Sequence, residues 1–82
     1  MSVMPTVVSE NLRITYGLAS SSRVRIVLYD VAGRMIESIR DIRQNVGRHT
    51  VNKNLSRIPS GVYFVRFEAE NRLETKKVVI SR

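Results

Sequence analysis

The chain has 82 residues, 43% of them hydrophobic and 26% charged, with a formal net charge of +7 and no cysteine. That length allows one domain with one core, burying only somewhat more than about 60% of the surface its unfolded chain exposes. The composition excludes disorder, and the missing thiols exclude a disulfide framework and a thiolate metal site.

No apolar run approaches the roughly 18 residues of a membrane span, and MSVMPTVVSE lacks the charged start and apolar stretch of a secretory signal. If such a chain is exported, it is expected as one domain of a longer precursor. The positive residues are spread along the chain rather than run together, which favours a solubilising surface over a dedicated site for nucleic acid or anionic lipopolysaccharide.

Residues 1–9 carry no sustained pattern and are expected as a linker or the remnant of an upstream region, with a β-sandwich over 10–82. In NLRITYGL, Leu12, Ile14, Tyr16 and Leu18 alternate with Asn11, Arg13, Thr15 and Gly17, the period of a strand with one buried face. After the serines at 20–22, RVRIVLYD points Val24, Ile26 and Leu28 inward and Arg23 and Arg25 to water. Val27 and Tyr29 fall on the second face, which is therefore partly covered.

Asp30 to Gly33, DVAG, pairs a carboxylate that accepts backbone hydrogen bonds with a glycine that tolerates positive φ, the chemistry of a hairpin turn. The return segment RMIESIR is expected as a strand, although Met35, Ile36 and Ile39 also fit a short helical turn. DIRQNVGR is expected as a loop and HTVNKNL as a polar edge strand. In SRIPSG, Pro59 fixes φ and Gly61 opens the next strand.

GVYFVRFEA carries Val62 and Phe64 on one face and Tyr63, Val65 and Phe67 on the other, so Phe64 and Phe67 are both expected in the core. ENR at 70–72 makes a turn. In the last strand, Leu73, Thr75, Lys77, Val79 and Ser81 alternate with Glu74, Lys76, Val78 and Ile80. About six or seven short strands with frequent turns predict an all-β fold, an antiparallel immunoglobulin-like β-sandwich.

The chemistry is sparse. His49 is the only histidine, and a zinc site without cysteine would need several carboxylates or waters around it, so a surface histidine is expected. No serine sits in a G-x-S-x-G elbow or is identifiably paired, so no catalytic residue is assigned. Asp30, Glu37, Asp41, Glu68, Glu70 and Glu74 fall at turns and outward strand positions and read as solvated, which assigns no metal. Gly33, Gly47 and Gly61 stand alone, without a phosphate-cradling pattern, and no cofactor is assigned. Tyr63 or Phe64 could stack bases as in single-strand binders, but their place in the most apolar strand favours burial, leaving the arginines as a non-specific phosphate surface.

The segments VRIVLYDVAGRMI, GRH at 47–49 and IPSGVYFVRFEAENRLETKKVVISR together resemble the C-terminal sorting domain of proteins exported by the type nine secretion system. They are similar as well to the immunoglobulin-like module of the flagellar hook-capping protein. The resemblance runs from about Val8 to Arg82. Only Pro5 stands where the sorting domains open with a Pro-Asn-Pro-like segment.

The resemblance implies a non-catalytic β-sandwich behind an upstream cargo, read by the outer-membrane export machinery and in many relatives removed by a sortase. The cargo passes through the periplasm to the cell surface or medium. The matching positions are Gly61, Tyr63, Lys76, Lys77, Val78, Val79 and Ile80, a candidate recognition set. A second reading is a structural accessory module like that of the hook cap, and a third a basic domain that binds nucleic acid without sequence preference. Exposed strand edges also leave room for a homodimer.

Overall fold

The computed structural model describes residues 1–82 and contains eight strands and no helix. They are β1 (Ser2–Met4), β2 (Val7–Val8), β3 (Asn11–Leu18), β4 (Ser22–Asp30), β5 (Met35–Gln44), β6 (Gly47–Asn54), β7 (Gly61–Ala69) and β8 (Arg72–Ile80). A three-stranded sheet in the order β1-β3-β6 packs on a five-stranded sheet in the order β2-β8-β7-β4-β5. Every pairing is antiparallel except that of β2 with β8. This is an immunoglobulin-like sandwich in which the first strand segments divide between the two sheets.

The core forms where the alternating runs face one another. Leu12, Ile14, Tyr16 and Leu18 of β3 meet Val24, Ile26 and Leu28 of β4, Tyr63, Val65, Phe67 and Ala69 of β7, and Val78 and Ile80 of β8. All are buried, and the Tyr16 and Phe67 rings lie 5.1 Å apart between the sheets. The DVAG turn forms as its chemistry dictates. Gly33 adopts a φ of 83°, and the Asp30 carboxylate accepts the backbone N–H groups of Ala32 and Arg34, each at 2.9 Å. β5 is a strand from Met35 onward, as favoured over the helical turn.

Four expectations are corrected. The first nine residues do not hang free: β1 pairs with β3, β2 pairs with β8, and Val3 and Val8 enter the core. Runs of three and two residues are too short for alternation to show, which also explains the extra strand. DIRQ is not loop, because β5 continues to Gln44. Its partners on β4 there are Arg25, Val24, Arg23 and Ser22, and the single apolar residue of DIRQ, the exposed Ile42 opposite Val24, is too little to mark a strand by hydrophobic alternation. Phe64 is only half-buried, on the outer face opposite Tyr29 and Lys77, and lies outside the core cluster. His49 is half-buried rather than on the open surface; its ring stacks on Tyr16 at 5.6 Å.

Candidate recognition surface on the last hairpin

The hairpin β7–β8 carries every residue of the candidate recognition set. It is held at its start by a corner. The Tyr63 hydroxyl donates to the Pro59 carbonyl oxygen at 2.7 Å, tying the first turn of β7 to the loop that feeds it, as the tyrosine corner of immunoglobulin domains does. The Tyr63 ring lies over Gly61, where an added Cβ would stand 3.5 Å from the ring edge.

The pleat then divides the set. Tyr63, Val78 and Ile80 point into the core and are at most 7% exposed. Lys77 and Val79 point to the outer face, where Lys77 lies beside Phe64, and Val79 between Val62 and Val7. Lys76 shares the core-facing side with Val65, yet it is exposed, standing between the half-buried Glu74, whose carboxylate meets the N-terminal ammonium of Met1 at 2.9 Å, and the buried Val78. Thus Lys76 and Lys77 present ammonium groups on the two sides of one strand. Neither takes part in an ion pair.

The end of β8 is anchored to the opening segment. The Val79 N–H donates to the Thr6 carbonyl at 2.8 Å and the Ser81 N–H to the Val8 carbonyl at 2.9 Å. Arg82 bonds the Ser9 carbonyl at 2.9 Å through Nε and the Leu55 carbonyl through its terminal nitrogen, closing the end of the sandwich. Neither β2 nor the Arg82 contact was legible in the sequence. An isolated VV pair and a terminal arginine carry no signal of their own.

The other end of the sheet carries a groove of about 440 Å³ lined by Arg23, Arg25, Arg66 and Arg72 together with Glu68 and Glu70. Its cations are largely matched. Arg23 binds Asp41 at 2.8 Å, Arg72 lies 3.5 Å from Glu70, and Arg66 Nε stands 3.1 Å from Glu68 Oε1 in an ion pair without hydrogen-bond alignment. The Arg23 guanidinium holds the Asp41 carboxyl below the usual carboxylate range, and the Ser20 backbone N–H does the same for Glu70. Intramolecular pairing leaves this groove poorly suited to a phosphate backbone, which needs free cations.

His49 is engaged within the fold: Nε2 lies 2.8 Å from the Asn45 carbonyl and Nδ1 lies 3.2 Å from the Gln44 amide nitrogen. No three or more His, Cys, Asp or Glu side chains converge anywhere in the structure.

Residues 2–81 match the family described as the secretion system C-terminal sorting domain. The chain belongs to that family. Among curated proteins and solved structures, none matches the chain. As a sorting domain of the type nine secretion system, it belongs to the tails of cargo precursors that the secretion machinery recognises.

Proposed function

We propose that this sorting domain is a non-catalytic, folded address that takes an attached upstream cargo through the type nine secretion system. The cargo would cross the periplasm and the outer membrane to the cell surface or medium. The observation that carries this reading is the family match across 2–81, nearly the whole chain. The fold supports it in physical terms. The first part of β8, through Lys77, is exposed apart from the half-buried Glu74, and its end enters the core at Val78 and Ile80, so the same strand displays its lysines and stabilises the sandwich. The export machinery is the partner this reading requires, and a sortase would act on the cargo junction rather than on the sandwich. The internal pairing of Arg23, Arg66 and Arg72 argues against the arginine-lined groove as a phosphate site.

The test is a periplasm-directed reporter fused upstream of residues 1–82 in a host with a type nine system. The fusion should appear outside the cell, and the reporter without the domain should stay in the periplasm. Equal release with and without the domain refutes the proposal.

A further inference from the structure

The five-stranded sheet ends on two very different edges. At one, β5 is ten residues long, but its pairing with β4 is interrupted by register shifts between Ile26 and Val27 and between Leu28 and Tyr29. Such bulges bend an edge away from regular pairing. At the other, β2 covers only Val79 and Ile80 of β8. From Leu73 to Lys77, β8 has β7 on one side and no strand on the other. Its register with β7 runs without a shift from Arg72 to Ile80, so this open edge is free of bulges.

The direction of the free groups follows from the bonds already made. The N–H groups of Val79 and Ser81 point outward to β2. In a strand, alternate residues direct their backbone groups to the same side, so the N–H groups of Leu73, Thr75 and Lys77 point outward too, with no strand to receive them. Side chains flank this edge suggestively. Leu73 is 59% exposed on the outer face, and Lys76 and Lys77 stand unpaired on the two sides. By contrast, the open edge of the small sheet, β6, has Lys53 held by Glu37 at 3.0 Å and His49 held by Asn45.

We propose that the open edge of β8, Leu73 to Lys77, takes up an extended strand of the export machinery by β-augmentation. That strand carries carboxylates against Lys76 and Lys77 and an apolar side chain against Leu73. The inference rests on the sorting reading above and names its contact. Backbone pairing supplies the attachment and the flanking side chains supply the choice of partner. β2 already shows that this edge accepts an added strand, and the incoming strand would continue the same edge. A second copy of the chain is a poorer occupant, since each copy brings a net charge of +7.

Proline gives a backbone-specific test, because it removes an N–H and is tolerated on an edge strand where that N–H faces solvent. In the reporter fusion, Thr75→Pro should fold, and its release should fall at least tenfold, while Thr75→Val, which keeps the N–H, should be released at the parental rate. Leu73→Pro serves as a second variant should Thr75→Pro fail to fold. A folded proline variant released at the parental rate overturns the proposal, as does an equal loss in Thr75→Val.

A measurement on the unaltered domain covers the case in which neither variant folds. Amide exchange at Leu73, Thr75 and Lys77 should slow at least tenfold when outer-membrane vesicles of the same host are added, with no change along the free edge of β6. Unchanged exchange at these amides overturns the proposal, and so does slowing that depends on the domain's own concentration without vesicles, which would place a second copy there. If the unaltered fusion is not released at all, the sorting reading itself fails, a result separate from these.

Discussion

The Tyr63 hydroxyl and the Pro59 carbonyl, 2.7 Å apart, close the corner from which the last hairpin starts. Tyr63 is 7% exposed, so the ring is core and only its tip is polar. Tyr63→Phe keeps the ring and removes the donor, leaving the carbonyl short of a partner. The expected cost is about 1–2 kcal/mol, which a thermal melt should register as a fall of roughly 4–16 °C for a domain of this size. A melt within 1 °C of the parent would show that water replaces the bond without loss.

The two phenylalanines should separate sharply. Phe67 is fully buried, and Phe67→Ala should cost about 3–5 kcal/mol, enough to unfold so small a domain. Phe64 is half-buried on the outer face, and Phe64→Ala should cost about 1–2 kcal/mol and leave a cooperative melt. Equal destabilisation of both variants in denaturant titrations would place Phe64 in the core after all.

This pair shows where the sequence stopped being legible. The alternation in GVYFVRF separates two faces but does not say which one the second sheet covers. With apolar residues on both, the strand reads as buried on both sides. The long alternating runs of β3 and β4 were readable because each has one strongly apolar face, and β8 by its apolar end, Val78 to Ile80, after the turn at 70–72. β5 beyond Arg40 and the two opening strands were not, because Asp41 and Arg43 pair with arginines at a solvated edge, and strands of three and two residues, SVM and VV, are too short to show an alternation. The candidate recognition set could be assigned from the sequence only as a stretch of chain, not as a surface. The sequence spacing places Lys77 and Val79 on one face, but only the fold shows that this face is open.

Acid should weaken the turn between β4 and β5. The Arg34 backbone N–H, helped by the Arg34 side chain and the Ala32 N–H, holds the Asp30 carboxyl below the usual carboxylate range. A carboxyl whose folded pKa is lowered contributes stability above its unfolded value, near about 4, and loses it as the pH falls through the folded value. Asp30→Asn should therefore melt below the parent at pH 7, and the gap should close as the pH falls below the unfolded value and through the lowered folded one. A gap that stays constant over this range would show that charge plays no part at the turn.

The charge on β8 can be reversed with little effect on the fold. Lys76 and Lys77 are exposed, on opposite sides of the strand, and neither is in an ion pair, so substitution breaks no ion pair. Changes at such positions usually stay within about ±0.5 kcal/mol. Lys76→Glu adds a carboxylate two residues from Glu74 on the same side, a repulsion that water and salt screen at this exposed margin. The double variant Lys76→Glu/Lys77→Glu should thus melt close to the parent. Fused to a cargo, it should reach the periplasm folded and stall there, because a partner with carboxylates set against these lysines would meet the wrong sign of charge. Single variants should each show part of the defect, since the ammonium groups flank the strand from its two sides. Parental release of a double variant that melts like the parent would make the lysines solubilising only, and would shift recognition to the corner at Gly61 and Tyr63.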